Sequence, residues 1–246
     1  YQPYDQKSKQ EQYKQIQNMK IITKLITFLL LTLLPFFSFA GEAEEHFKKG
    51  NNLMKENKLE EAIKEYDLAI KYQPDYVEVY YNKGGALRRL GRLKEAIVQY
   101  DLAIKYKSDF YEAYNTKGSI LGKLGNLEES IKAFDLSIRY KPEFPDAYYN
   151  KGITLRKLEK IEEAIDSYDL AIKYKPNYIE AHHNKAAALD DLGKFEEAIE
   201  SYDLVIKYKP DFADAYYYKS LALKKLGKIK EAEEAFNKAK SLGEKR

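Results

Sequence analysis

The chain has 246 residues, 33% of them charged and 44% hydrophobic, which leaves ample apolar surface for a core and excludes a disordered chain. Of its 42 basic and 39 acidic residues, the first forty positions hold five lysines against Asp5 and Glu11, so 37 of each sign remain. That balance removes the single-sign field that attracts nucleic acid or anionic lipid. The absence of cysteine excludes disulfides, thiolate metal sites and a cysteine nucleophile.

Residues 1–18 are polar, rich in Gln and Lys and without a hydrophobic period. They read as an upstream extension that need not be native, and no structure is expected for them. Residues 19–40 follow a different pattern: Met19, Lys20 and Lys24 give a basic start, Leu25 to Leu34 an apolar run, Pro35 a break, and Ser38-Phe39-Ala40-Gly41 a small-residue exit. This is the pattern of an export signal, with cleavage expected after Ala40. The alternative is an uncleaved inner-membrane anchor, because Ile21 to Phe39 nearly reaches spanning length. The basic flank stays on the cytoplasmic side in both cases, so the expected location of everything after Gly41 is outside the cytoplasm, periplasmic or secreted.

From Ala43 the sequence repeats every 34 residues without an insertion, as 43–76, 77–110, 111–144, 145–178, 179–212 and 213–246. Near-copies of one segment begin at Tyr66, Tyr100, Phe134, Tyr168 and Tyr202. A period of this length with two helical stretches per unit predicts an all-α solenoid of six helix-turn-helix repeats, each burying its apolar face against its neighbours. One row is small (Gly50, Gly84, Gly118, Gly152, Ala186, Ser220), and four residues after an alanine or serine row stand aromatics (Tyr66, Tyr100, Phe134, Tyr168, Tyr202, Phe236). A small residue at a helix crossing lets the helices approach, and the aromatic fills the seam. Turns are predicted at Gly91, Gly125, Gly193 and Gly227, and helix stops at Pro74, Pro142, Pro176 and Pro210. Ser108 replaces the proline of the second repeat and Glu159 the turn glycine of the fourth, so looser connections are expected there. Asp67 with Lys71, and its equivalents through Asp203 with Lys207, read as i, i+4 pairs on a solvated face. The row Lys49, Lys83, Lys117, Lys151, Lys185 and Lys219 reads as stems covering apolar surface. In the last repeat Glu233 and Lys240 replace isoleucines, as a terminal cap requires.

These rows are similar to those of the tetratricopeptide repeat family over every residue after Ala43. The resemblance implies a right-handed α-solenoid whose first helices line a concave groove that binds a protein or an extended peptide. Carried onto this chain, the groove rows place Phe47, Tyr81, Tyr149 and Tyr217 for side chains, Asn82, Asn150 and Asn184 for the peptide backbone, and Arg88 and Arg156 on a basic rim. Glu44, Glu78, Glu112, Asp146, Glu180 and Asp214 form the opposite, acidic rim, and two rims of opposite sign would orient a ligand. Tyr80, Tyr114, Tyr148, Tyr216 and His182 read as core. Some members of the family clamp a terminal carboxylate with basic residues; here Phe47, Glu112 and Thr116 stand at those positions, which argues against that role.

No enzymatic chemistry, cofactor or metal is expected. His182 and His183 are neighbours on a helix and diverge by about 100 degrees, and acids that recur in every repeat do not make one active site. The expected function is therefore an exported scaffold for a protein or peptide partner. The alternatives are a membrane-anchored organiser of an envelope complex, reaching the membrane only through residues 19–40, or a binder of glycan or single-stranded nucleic acid without sequence-specific readout.

Overall fold

The computed structural model describes the backbone of residues 5–243, with side chains described for all of these except 5–8, 12 and 26–39. Among the described residues every regular element is an α-helix. The twelve helices are α1 (Asp5–Lys55), α2 (Leu59–Tyr72), α3 (Val77–Arg89), α4 (Leu93–Tyr106), α5 (Tyr111–Lys123), α6 (Leu127–Tyr140), α7 (Pro145–Lys157), α8 (Ile161–Tyr174), α9 (Ile179–Asp191), α10 (Phe195–Tyr208), α11 (Ala213–Lys225) and α12 (Ile229–Gly243). They fall into two units divided between Arg92 and Leu93. In the first, α2 packs on both α1 and α3; in the second, each helix from α4 to α12 packs on the next. The first helices of successive repeats also touch, α5 on α7, α7 on α9 and α9 on α11. Consecutive pairing of this kind is the arrangement of an α-solenoid.

In the first, third and fourth repeats the seam forms as the small-residue row predicts. A methyl carbon added at Gly50, Gly118 or Gly152 would lie 2.6–2.8 Å from the ring of Tyr66, Phe134 or Tyr168. Those rings, with Tyr100 and Tyr202, are at most 1% exposed, and a fully buried aromatic of this size contributes about 1.5–3 kcal/mol. Tyr202 packs with Ala186, Leu189 and Ala198 of its own repeat and with Ala215 of the next, so one ring serves both the repeat and the joint.

The turn residues share one backbone conformation. Gly91, Gly125, Gly193 and Gly227 take positive φ between 74° and 87°. The looser connection expected at Glu159 is not found: Glu159 adopts the same left-handed conformation at φ 60°, as does Asn57 at φ 63°. The amides of Glu159 and Lys160 close onto the Arg156 and Leu155 carbonyls at 3.0 Å, as those of Gly193 and Lys194 close onto Asp190 and Leu189. The turn at Ser108 is likewise regular, because its bonds come from the Lys107 and Phe110 amides, which proline does not supply in the other repeats either.

Two further expectations are corrected. Part of residues 1–18 is helical, since α1 begins at Asp5 and runs without a break into the first repeat; Lys, Gln and Glu are strong helix formers, and extending a helix already nucleated by packing is favourable. The export signal or anchor read at 19–40 rests mainly on side chains 26–39 and lies outside the described residues. Among the described residues no helix is long and apolar enough to cross a membrane.

The second correction concerns charge. The aspartates of the second helices do not pair along their own helix but reach the lysine row of the following first helix, 16 residues on. Lys83 meets Asp67, Lys117 meets Asp101, Lys151 meets Asp135, Lys185 meets Asp169 and Lys219 meets Asp203, all at 2.5–2.7 Å. Lys49, which has no preceding repeat, pairs with Glu65 at 2.7 Å. The lysines therefore do more than cover apolar surface: they form one ion pair at each joint.

Candidate functional site

The row read as core is buried only in part, since Tyr114, Tyr148 and Tyr216 are half-buried. Tyr80 and His182 are buried, and the Tyr80 and Tyr148 hydroxyls donate to the carbonyls of Pro74 and Pro142 at 2.7 and 3.0 Å. His182 Nε2 lies 2.9 Å from the Pro176 carbonyl, which can only accept, so this nitrogen carries the proton. His183, one residue on, faces elsewhere and packs edge-on against Tyr202, Phe212 and Tyr218. Burial holds its pKa below the usual histidine value, so it is neutral at pH 7.

The three groove asparagines are already engaged with the preceding repeat. Asn82 Nδ2 donates to Asn51 Oδ1 at 2.8 Å, an oxygen that also accepts the Tyr66 hydroxyl at 2.8 Å. Asn150 Nδ2 donates to Asn115 Oδ1 at 3.0 Å, and Asn184 Nδ2 to the Tyr149 hydroxyl at 3.2 Å. Asn150 and Asn184 each keep their own oxygen and a second N–H. The sequence assigns these amides to a peptide backbone; the first helices stand close enough to link them to one another's repeats as well.

The rims are also cross-linked. Arg156 binds Asp191 of the next repeat through Nε and Nη2 at 2.8 and 2.7 Å, and Lys225 binds Asp190 at 2.8 Å. Asp190 and Asp191, which stand where the neighbouring repeats carry Arg156-Lys157 and Lys224-Lys225, thus neutralise a cation on each side. On the opposite rim the Tyr178 hydroxyl donates to Asp146 at 2.8 Å and that of Tyr76 to Glu44 at 2.5 Å. The Tyr76 bond and the nearby Lys48 ammonium hold the Glu44 pKa below the ordinary carboxylate value.

The remaining candidates divide by unit. In the first, Phe47 packs against Tyr66 and Tyr76 with ring centres 6.2 and 5.0 Å apart, Tyr81 and Asn82 are half-buried, and Arg88 is exposed. In the second, Tyr149 and Asn184 come together in a cavity of about 190 Å³ with Ile179, His183, Lys209 and Phe212. Asn184 also lines a larger recess of about 700 Å³ with Ile153, Arg156, Tyr168 and Asp191. Asn150 lies beside neither, and Tyr217 lines a separate cavity between α11 and α12. Candidate-site selection missed Lys209, Phe212 and Asp191. The first two belong to the Lys-Pro-Asp-Phe connection, which the sequence marks only as a helix stop, although Lys209 stacks over the Phe212 ring at 5.1 Å. Asp191 reads as an interruption until its partner is seen.

Helix pairs of fixed length, repeated in register with small-residue seams and a lined recess along the first helices, define an all-α repeat scaffold. The chain belongs to the tetratricopeptide repeat family: models of that repeat match residues 47–112, 111–144, 145–178, 188–227 and 213–244. A comparison with curated proteins finds no match. Among solved structures, MamA is 27% identical with a TM-score of 0.63, over 66% of this chain and 95% of its own. YrrB, described as a TPR protein with an unusual peptide-binding site, is 25% identical with a TM-score of 0.62, over 72% of this chain and 91% of its own. A tetratricopeptide repeat protein from Parabacteroides merdae shares the fold at 20% identity and a TM-score of 0.69, over 82% of this chain and 80% of its own.

Proposed function

We propose that the protein is a non-enzymatic scaffold that binds a protein or an extended peptide along the first helices of its second unit. The observation that carries this is Asn184, which lines both cavities there and keeps an amide oxygen and one N–H for a backbone beside Tyr149. The likeness to YrrB supports a peptide as the ligand class. Arg156 serves this site through its pairing with Asp191, which fixes the rim, and a ligand carboxylate would have to compete with that aspartate. Residues 19–40 support export to the periplasm or beyond, with a membrane-held form as the alternative. Mass spectrometry of the native chain distinguishes these by whether it starts near Gly41.

Panning a random peptide library against the intact protein and titrating an enriched peptide tests the site. Asn184→Ala is expected to weaken binding about threefold to tenfold, as loss of one hydrogen bond does. Asp166→Ala, on the exposed side of α8, is expected to leave it unchanged. Unaltered affinity in Asn184→Ala together with loss in Asp166→Ala would move the site to the second helices.

A further inference from the structure

The last repeat ends in an open groove. Tyr217 and Leu221 of α11 and Ile229 and Phe236 of α12 line a cavity of about 480 Å³, rimmed by Lys224, Glu233 and Asn237. These four apolar side chains are 38–52% exposed, more than a terminal cap with a polar outer face needs. One repeat earlier the same register positions are His183, Ala187, Phe195 and Tyr202. There the groove is filled by the following first helix, with Ala215 in the core cluster and Tyr218 stacked on Tyr202. The α11/α12 groove is thus an inter-repeat surface that no described residue covers.

We propose that this α11/α12 face is a self-association surface that receives the same face of a second copy of the chain about a two-fold axis. Charge argues for the occupant. At the two preceding rims the equivalent of Lys224 pairs with the opposite charge on the next first helix: Arg156 with Asp191, and Asp190 with Lys225, each 35 residues on. Lys224 therefore calls for an acid on whatever covers it, and neither Lys224 nor Glu233 is ion-paired within the described residues. The face carries both Lys224 and Glu233, so a two-fold mate would present Glu233 to Lys224 and Lys224 to Glu233, with Phe236 and Ile229 of each copy closing the apolar groove of the other. That is the self-complementarity an isologous interface requires.

Head-to-tail stacking does not fit. A first repeat entering this groove would offer Glu45, Lys48 and Asn52 where α11 offers Ala215, Tyr218 and Ala222, and all three are exposed polar side chains. Its Lys49 would meet Asn237, which stands where Asp203 anchors the lysine of the preceding joint. The balanced charge of the chain after residue 40 offers little repulsion to a second copy.

Sedimentation equilibrium of the intact chain is expected to show a monomer–dimer equilibrium. Lys224→Glu alone and Glu233→Lys alone are expected to weaken it at least about tenfold through like-charge contacts, while an equimolar mixture of the two variants associates as well as the wild type. Phe236→Asp is expected to abolish it, and because the two charge reversals lie at exposed positions they test the interface even if that variant fails to fold. A wild-type protein monomeric at about 100 μM overturns the proposal, as that lies at the weak edge of specific association. So does a dimer indifferent to all three substitutions, which would form through another surface such as α1. Failure of the mixed charge variants to associate excludes the two-fold arrangement.

Discussion

Replacing Gly152 by alanine and replacing Gly85 by alanine are the same chemical change on two helices, and the structure gives them opposite signs. At Gly85 an added methyl meets nothing within 4 Å, so only the backbone term acts, a gain of about 0.5–1 kcal/mol. At Gly152 the methyl would stand 2.6, 2.8 and 3.0 Å from three carbons of the Tyr168 ring. The ring must retreat by nearly 1 Å to reach ordinary contact, yet it is 1% exposed and wedged among Leu155, Ala164 and Ala188. Overpacking of this kind costs about 1–3 kcal/mol. The repeats themselves narrow that range: Ala186 occupies the position beside Tyr202, so a joint with slightly wider helix spacing accepts one methyl, and alanine at 152 belongs near the lower end. Leucine, with three more carbons directed at the same ring, belongs at the upper end or beyond. Thermal unfolding followed by circular dichroism should rank Gly85→Ala above wild type, Gly152→Ala at or below it, and Gly152→Leu lowest. Each kcal/mol moves the midpoint by about 2–4 °C. A solenoid can open one repeat at a time, so hydrogen exchange should place the weakening in α7 and α8. Stabilisation of Gly152→Ala equal to that of Gly85→Ala would show that the seam is not closed on Tyr168.

Glu159→Gly should stabilise the fourth turn by about 0.5–1 kcal/mol, since a left-handed non-glycine residue costs about 1–2 kcal/mol and the flexibility of glycine returns part of it; an unchanged or lower midpoint contradicts the strain. A double-mutant cycle on Lys185 and Asp169 should give a coupling of about 0.2–1 kcal/mol that declines with added salt, and a coupling of zero at low salt would remove the ion pair from the account of the joint. Burial pushes the phenol of Tyr66 up to about 12 and raises those of Tyr168 and Tyr202 as well. A raised folded value means that the stabilisation is complete below the unfolded pKa near 10 and is lost as pH rises toward the folded values. Helicity and tyrosinate absorbance at 295 nm should therefore change together above about pH 10, and full tyrosine ionisation with helicity intact would contradict the burial.

What could be read in the sequence follows from how local each feature is. The glycine turns, the small-residue seams and the aromatic row each depend on one repeat and its own register, so Gly125 and Gly152 carry their meaning in the residue type. The lysine row could not be read in the same way. Whether Asp169 pairs with Lys173 on its own helix or with Lys185 on the next depends on how closely two helices stand, and that distance is a tertiary property. The same holds for Asn184, whose donor is taken by a hydroxyl 35 residues away. The start of α1 was hidden for another reason: a polar segment rich in helix formers has no hydrophobic period, and the helix is extended from the packed end rather than signalled at its beginning.

The joints of the second unit have a further property. The Lys–Asp contact is identical wherever it occurs, so it would accept any repeat after any other. The rim contacts are not interchangeable: Arg156 requires the aspartate of the fifth repeat, and Asp190 requires the lysine of the sixth. Excising residues 179–212 would keep the common contact, because Asp169 would meet Lys219, but would set Arg156 against Lys225. One contact therefore makes the modules stackable, while the other records the order in which they are threaded and penalises a chain that loses its fifth module.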